Sequence, residues 1–239
     1  MSWASAAGGW TLLAAVLCAR AVGGERVLGI ALPSPPVTPP DADLRDGKDL
    51  CAAFEIPPFQ TIPIEPMLSA FAGMEGFENN PPYLSGNLMA RIRMTTLYYH
   101  ANRLHYLVCG TSNRSEYMLG YSTKYGDSAA DIQPILHCYK TRVYALAKEV
   151  GVPTPIIEKP PSAGLWPGQS DEEEIGFTYA AIDRALTSLE ANNWTASNAQ
   201  EELILGKVQA SMHKRMSRQT CLVFPEIITD GRARHAPAG

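Results

Sequence analysis

Residues 106–135, YLVCGTSNRSEYMLGYSTKYGDSAADIQPI, carry the strongest signal of fold in the chain. The first five residues, Tyr106 to Gly110, form a short and largely apolar run, as expected for a buried strand. The polar residues 111–113 follow at once and can cap a helix that carries Glu116. A strand that passes through a polar turn into a helix is the building unit of α/β proteins. The segment therefore predicts one such unit, with a polar strand end between its two elements.

The same alternation of strands and helices is expected on the N-terminal side. Residues 10–22 form an apolar run typical of a buried helix, and RVLGIALP (26–33) reads as the next buried strand. Alternating Ile62 and Ile64 predict a further parallel strand that leads into a helix, and residues 88–104 have helical periodicity. We therefore expect an α/β fold, a Rossmann-like, doubly wound parallel sheet with helices on both faces and with ligands at the carboxyl ends of the strands.

Turn-forming segments separate these elements. Residues 33–43, PSPPVTPPDAD, are expected to form a surface connection, because successive prolines prevent regular helix and central strand. Ser170 with Glu173, and Ser197 with Gln200, have the spacing of a capping box. Two helices are therefore expected to begin at these serines.

Length and composition limit the function classes. The 239 residues suffice for one large domain, so we expect a single domain over 1–239 with a frayed tail at 230–239. Hydrophobic residues make up 46% of the chain and charged residues 18%, which is typical of a globular protein. The formal net charge of −4 argues against electrostatic nucleic-acid binding. A nucleic-acid partner is therefore not expected.

The cysteines and the first apolar run bear on the cellular compartment. The five cysteines are odd in number, scattered and without a CxxC pair, which fits a reducing cytoplasm better than a disulfide framework. The apolar run over 10–22 has no basic residue before it, contains Arg20, and is too short to cross a bilayer. A cytoplasmic protein without a membrane partner is predicted, and a secretion signal is disfavoured.

Several segments share a family resemblance. They include the opening stretch, then CYKTRVYALAKEVGVP (138–153), EKPPSAGLWPGQSDEEE (158–174) and SMHKRM (211–216). Together they closely resemble the ammonia-dependent NAD synthetases of the N-type ATP pyrophosphatase superfamily, over about residues 12–215. The resemblance implies an adenine nucleotide alpha-hydrolase-like version of the expected fold.

The resemblance also implies an ATP-dependent amide synthesis. In this family ATP adenylates the nicotinate carboxylate of deamido-NAD, pyrophosphate leaves, and ammonia attacks the acyl adenylate to give NAD and AMP. Magnesium is the implied cofactor, ATP is a co-substrate, and no residue acts as a covalent nucleophile. A homodimer is implied as the assembly, and free ammonia or a separate amidase as the nitrogen source.

Ligand-binding roles follow from the same resemblance, residue by residue. ATP contacts are implied for Thr111, Lys140 and Ser162, and a magnesium contact for Glu116, since a hard cation prefers carboxylate and phosphate oxygens. Taken singly, such positions are ordinary helix caps, solvated charges or surface salt bridges. Contacts to deamido-NAD are implied for Arg93, Lys124, Asp131, His213 and Lys214.

The N-terminal loop departs from the family pattern. The family's phosphate loop reads SGGxDS, and alignment on LLAAVLCARAVG places it on residues 6–11, AAGGWT. Gly8, Gly9 and Thr11 still allow a turn with a hydroxyl at a helix N-terminus, so they are also predicted to contact ATP. Trp10 stands in place of the aspartate and cannot bind magnesium. The strand and helix that normally precede the loop are expected to be missing.

The domain is therefore predicted to be truncated or altered over residues 1–11, and alternatives stay open. A reading frame shifted by one base would turn GTG GAC, for Val-Asp, into TGG AC, for Trp-Thr. A catalytically impaired paralogue that binds the dinucleotide without turning it over is the other alternative. Another ATP pyrophosphatase, such as a GMP synthetase or a tRNA-thiolating enzyme, is disfavoured because TKYGD, EKPPSAGLWPGQ and HKR are not their patterns.

Overall fold

The described part of the chain contains a short parallel sheet and a larger number of helices. The computed structural model describes residues 2–5, 9–34, 40–78 and 80–216. The strands of the described sheet lie in the order β1 (Ser2–Ser5), β2 (Leu28–Ala31) and β3 (Gln60–Thr61). Both pairings are parallel, with Ser2 opposite Leu28 and Ile30 opposite Gln60.

Helices connect and follow these strands. Their bounds are α1 (Gly9–Val22), α2 (Pro40–Ala53), α3 (Glu65–Ala72), α4 (Pro82–Leu104), α5 (Arg114–Leu119), α6 (Lys140–Glu149), α7 (Thr154–Ile157), α8 (Asp171–Ile175), α9 (Tyr179–Ala191), α10 (Ala199–Ala210) and α11 (Met212–Met216). The predicted helix over 10–22 is confirmed as α1, the predicted strand in 26–33 as β2, and the predicted helix over 88–104 as the larger part of α4.

Two predicted strands are shorter than expected. In YLVCG the pairing is reduced to an isolated parallel bridge between Cys109 and Ile132. The strand predicted around Ile62 and Ile64 is β3, which ends at Thr61. The amides of Ile62 and Ile64 still donate to carbonyls at and beyond the end of β2, at 2.8 and 3.1 Å. Pro63 lies between them and has no N–H, so it interrupts the ladder.

The proline-rich segment and the N-terminus also differ from prediction. Helix α2 begins at Pro40, inside the segment expected to be a loop, because proline lacks only an N–H that has no helical partner in the first turn anyway. The expectation that no strand precedes the altered loop was wrong. Strand β1 pairs along the whole length of β2 and ends directly before residues 6–8, which lie outside the described residues.

The helix caps follow local chemistry. Ser170 caps α8 and accepts a hydrogen bond from the Glu173 amide at 3.5 Å, as predicted. The cap of α10 is Asn198, one residue later than predicted, and it accepts from the Glu201 amide at 3.0 Å. Glu201 in turn accepts from the Ser197 amide at 2.7 Å. The helix begins one position later because asparagine caps a helix as well as serine does. Glu201 returns its hydrogen bond to the amide before the cap, so the reciprocal pattern of a capping box is not formed.

Three hydrophobic clusters hold the helices in place. One joins α1 to α6 and α7, a second joins α5, α9 and α10, and a third joins β2 to α4. Helix α1 is buried along Leu12 to Val16, where no residue is more than 5% exposed. Each fully buried Leu or Val side chain contributes roughly 1.5–3 kcal/mol. Within the described residues, no helix combines the length and apolar character needed to cross a bilayer.

Candidate functional site

A cavity of about 400 Å³ lies where α4, α5 and α6 meet the segment 162–169. Residues that are distant in the sequence come together in its wall. The predicted ligand residues that line it are Thr11, Arg93, Thr111, Glu116, Lys140, Ser162 and Lys214. The cavity therefore combines the strand end predicted from the sequence with cations from three other parts of the chain.

The turn after the bridge at Cys109 is fixed by a capping box. Asn113 is the N-cap of α5, and its Oδ1 accepts from the Glu116 amide at 3.1 Å. Glu116 Oε2 accepts from the Asn113 amide at 3.1 Å. Its other oxygen, Oε1, accepts from Lys140 Nζ at 2.7 Å. The carboxylate of Glu116 is thus held in one orientation at the cavity wall.

Lys140 is buried, whereas a lysine at the start of an amphipathic helix is usually solvated. Its side chain is 1% exposed, and its ammonium lies 4.4 Å from the ring centroid of Tyr179. The start of α6 is anchored at its backbone as well. The Lys140 amide donates to Ser115 Oγ at 2.9 Å, and the Thr141 amide donates to Asp183 Oδ2 at 2.8 Å. Because Asp183 also accepts from Ser115, one buried carboxylate joins α5 to α6.

Arg93 brings a second buried cation to the cavity wall. It is 5% exposed, and its Nε donates to the Leu32 carbonyl at 3.1 Å. Burial lowers the pKa of Arg93 to about 10, although the charge of Asp127 opposes the shift. Its Nη2 has no hydrogen-bond partner among the described residues. An unpaired buried donor is costly, so this nitrogen is well suited to an anion that enters the cavity.

The C-terminal helix α11 contributes one of its two predicted residues to the cavity. Lys214 lines it, and Nζ donates to the carbonyls of Gly120 and Ser122 at 2.8 and 3.0 Å. His213 is exposed outside the cavity lining, with Nδ1 3.1 Å from the Ala210 carbonyl oxygen. The two neighbouring residues therefore face different surroundings.

Two further predicted residues also lie outside the cavity lining. Lys124 places its ammonium 5.3 Å from the ring centroid of Tyr125. Asp131 accepts from Tyr98 Oη at 3.2 Å and from the Val108 amide at 2.7 Å. The carboxylate of Asp131 thus fastens the bridge segment to α4.

The phosphate-loop residues and Ser162 reach the cavity to different degrees. Thr11 lies in the first turn of α1, is 6% exposed and lines the cavity. Gly9 begins α1 but is not part of the lining, and Gly8 lies outside the described residues. Ser162 Oγ accepts from the Gly164 amide at 3.1 Å, which turns the chain at the cavity edge.

The sequence interpretation missed an acidic wall of the cavity. Tyr121 Oη lies 3.1 Å from Asp171 Oδ1 and 2.8 Å from Glu174 Oε2, and Gln169 Nε2 donates to the same Glu174 oxygen at 3.0 Å. Burial raises the pKa of both Asp171 and Tyr121 above their usual values. The acidic run 171–174 carried no predicted role in the site. Asp171 and Glu174 are three residues apart on a capped helix, and this spacing is the sequence signal that places two carboxylates on one face.

Asp127 belongs to the TKYGD motif but carried no predicted role, and it also lines the cavity. Its Oδ1 accepts from the Thr123 amide at 2.7 Å. The residue as a whole is exposed, yet protein atoms surround its carboxyl closely enough to raise the pKa to about 6. Desolvation is the main cause, and hydrogen bonds from the backbone oppose it.

The described residues contain no group of three or more histidine, cysteine, aspartate or glutamate side chains placed to hold a metal ion. A divalent cation at Glu116 would therefore need most of its ligands from phosphate oxygens and water. That arrangement is normal for magnesium bound with a nucleotide.

Comparison with known proteins identifies the family. A sequence model of NAD synthase matches residues 7–220. The chain belongs to the NAD synthase family. An NH(3)-dependent NAD(+) synthetase of Methanoregula boonei is 58% identical over 213 residues, which are 89% of this chain and 84% of the relative. A relative of the same description from Thermococcus kodakarensis is 43% identical, over 84% of this chain and 81% of its own length.

Two solved structures share the fold. An NMN synthetase from Francisella tularensis superposes with a TM-score of 0.80 at 35% identity, over 93% of this chain and 87% of the neighbour. An NH3-dependent NAD synthetase from Campylobacter jejuni gives 0.72 at 32% identity, over 89% and 85%. The predicted family and the Rossmann-like α/β fold are both confirmed. The family match begins at residue 7, so it includes most of the altered phosphate loop.

Proposed function

We propose that this chain is an ammonia-dependent NAD synthetase, which amidates deamido-NAD at the expense of ATP and releases AMP and pyrophosphate. One observation supports this most directly. Seven residues implied as ligands by the family resemblance, from Thr11 to Lys214, line one cavity in a chain that belongs to the NAD synthase family.

ATP would occupy the side of the cavity formed by Thr11, Thr111, Lys140 and Ser162. The hydroxyls can donate to phosphate oxygens, and the buried ammonium of Lys140 can offset their charge. Negative charge increases on the pyrophosphate as it leaves the α-phosphorus of ATP, where the nicotinate carboxylate attacks to form the acyl adenylate. Stabilisation of that charge by fixed cations in a site with little water lowers the barrier to adenylation.

The acid substrate would bind at Arg93. Its unpaired Nη2 offers a charge-assisted hydrogen bond to a carboxylate or phosphate, and Nε is already fixed by the Leu32 carbonyl. Lys124, Asp131 and His213 would contact the part of the dinucleotide that extends beyond the cavity. The exposed position of His213 suits a contact that completes the site of a second subunit, so a homodimer is part of the proposal.

Magnesium would be held by Glu116 together with the triphosphate. Oε2 of Glu116 accepts from the Asn113 amide and Oε1 from Lys140, and a carboxylate has further lone pairs that can meet a cation. When bound, the metal would neutralise charge on the triphosphate and on the departing pyrophosphate. Trp10 stands where the family has a second acidic ligand, so Glu116 would be the main protein contact.

The source of nitrogen and the compartment complete the proposal. Ammonia, free or delivered by a separate amidase, would attack the adenylated carboxyl at the cavity. The reaction uses soluble cellular nucleotides, which agrees with the cytoplasmic location expected from the cysteines.

The decisive experiment measures release of AMP and pyrophosphate by the purified chain with ATP, deamido-NAD, ammonium and magnesium. A variant carrying Trp10→Asp and Thr11→Ser is the matched comparison. We expect activity in the unchanged chain and a rate about 10- to 100-fold higher in the variant, since it restores a metal-binding carboxylate. Activity in the variant alone would support the alternative of dinucleotide binding without catalysis.

A second substrate arm tests the acid that is amidated. Because a structural neighbour is an NMN synthetase, nicotinate mononucleotide is offered in parallel with deamido-NAD. We expect a higher kcat/KM for the dinucleotide. If neither acid supports release of AMP from ATP, in the unchanged chain or in the variant, the proposed function is overturned.

A further inference from the structure

Tyr179 lies directly against the lysine that we assign to the triphosphate. The Lys140 ammonium is 4.4 Å from the centroid of the Tyr179 ring, well inside the range of a cation–π interaction. Tyr179 is 2% exposed and Lys140 1%. Because almost no water reaches this contact, the attraction between ammonium and ring face should be near the upper end of its usual strength.

The ring of Tyr179 is fixed from several sides. Its amide donates to Glu172 Oε1 at 2.7 Å, and its hydroxyl donates to Asp171 Oδ2 at 3.1 Å. It begins helix α9, whose Ile182 and Leu186 are fully buried in the second hydrophobic cluster. The ring therefore cannot follow the lysine, and the flexible lysine stem must adapt to the ring.

Glu116 cannot position Lys140 in the same way throughout the reaction. Its Oε1 accepts from Lys140 Nζ at 2.7 Å, but the same carboxylate is the proposed contact for magnesium. A cation at Glu116 would compete with the ammonium for that oxygen. The ring face of Tyr179 carries no such second role and stays available to the ammonium in both states.

We propose that Tyr179 is a positioning residue, whose ring face holds the Lys140 ammonium directed at the triphosphate when Glu116 engages magnesium. This inference rests on the proposed function, because it takes the ligand of Lys140 to be a nucleoside triphosphate. The hydroxyl of Tyr179 serves only to fix the ring against Asp171. The electrostatic potential of the ring, rather than its volume, is therefore the property that matters for ATP binding.

The test replaces Tyr179 with phenylalanine and then with phenylalanines that carry one, two and three ring fluorines. Fluorine withdraws electron density from the ring face and changes its shape little. Affinity for ATP with magnesium is measured by calorimetry, without the acid substrate. We expect Tyr179→Phe to bind ATP within about threefold of the unchanged chain, and the trifluorinated ring to bind about tenfold more weakly, with intermediate values between.

Two controls separate positioning from packing. The same fluorinated series at Tyr99, which is 64% exposed on α4, should leave ATP affinity unchanged. In a Lys140→Met background, fluorination at position 179 should no longer weaken ATP binding, because the cation is gone. Affinity for deamido-NAD, measured on the same samples, should stay constant across the series and so reports that the fold is intact.

An ATP affinity that is unchanged or tighter along the series would overturn the proposal, as would an equal loss in the Lys140→Met background. Failure of the proposed function looks different. A chain that binds ATP but forms no NAD contradicts that function, while the fluorine series still decides whether Tyr179 positions the lysine. A chain that binds no ATP at all overturns both.

Discussion

The buried ammonium of Lys140 lies 2.7 Å from Oε1 of Glu116, and the two residues occupy the first turns of α6 and α5. The side chains are 1% and 16% exposed. Each charge is therefore compensated by the other, and the carboxyl of Asp171 adds a further negative charge near Lys140. In the proposed reaction the lysine would bind the phosphates and the glutamate would bind magnesium.

Loss of either partner of this ion pair should destabilise the fold more than loss of both. Glu116→Gln removes the carboxylate that accepts from the buried ammonium and leaves Asp171 as its acidic neighbour, so it should cost about 3 kcal/mol. The double variant Glu116→Gln with Lys140→Met should recover at least half of that loss. Urea unfolding of the single and double variants measures the coupling. The half-buried pair Lys159–Asp46 is the control, and Lys159→Met should cost about 1 kcal/mol or less. Additive losses at 116 and 140 would contradict the interpretation.

Arg93 should matter to ligand binding far more than to folding. Arg93→Met removes a buried charge whose Nη2 is unpaired, so stability should stay within about 1 kcal/mol or rise slightly. The KM for the acid substrate should increase by about 10- to 100-fold through loss of a charge-assisted hydrogen bond. Thermal unfolding and steady-state kinetics check the two effects. Arg103→Met, exposed in the last turn of α4, is the matched control and should change KM little. A large loss of stability with unchanged KM would assign Arg93 a structural role.

The Asp127 carboxyl should make stability depend on pH. Its pKa in the folded chain is raised from 3.8 to about 6, so folding favours the protonated form. The stability it contributes is therefore complete below about pH 3.8 and is lost as the pH rises through 6. The change in unfolding free energy caused by Asp127→Asn should consequently be more stabilising at pH 7.5 than at pH 4.5. We expect a difference of about 1 kcal/mol, below the full linkage value because the residue is exposed to solvent.

Urea unfolding at the two pH values measures this difference. Asp127→Ala separates charge from hydrogen bonding, since alanine cannot accept from the Thr123 amide. It should show the same trend with pH but lower stability at both values. An equal effect of Asp127→Asn at pH 4.5 and 7.5 would contradict the prediction.

Gly120 should tolerate no side chain. It ends α5 at φ +62°, and a Cβ there would lie 2.4 Å from Ser211 Cβ. Gly120→Ala should therefore cost about 2 kcal/mol or more and displace Lys214, which donates to the Gly120 carbonyl. Gly176 ends α8 at φ +83°, and a methyl group there would meet no described atom within 4 Å, so Gly176→Ala should cost only about 1 kcal/mol. The unfolding free energy of Gly176→Ala reports backbone strain alone, and that of Gly120→Ala reports the same strain plus the collision with Ser211.

Much of the fold was predictable because its signals are local. The apolar run of α1, the strand in 26–33 and the cap of α5 each depend on residues within a few positions of one another. The errors were local as well. Pro63 shortened a strand, Pro40 started a helix, and Asn198 replaced Ser197 as a cap, in each case because the local chemistry of one residue outweighed the wider pattern.

The sequence by itself determined the α/β pattern, the family and the chemical types of most ligand residues, because periodicity, caps and motif spacing are properties of short segments. Tertiary structure alone decided which of those residues share a cavity. It buried Lys140 between Glu116 and Tyr179. It also left His213 outside the cavity, although the next residue, Lys214, lines it. Burial and charge pairing arise from groups brought together by packing of distant segments, and no local pattern encodes them.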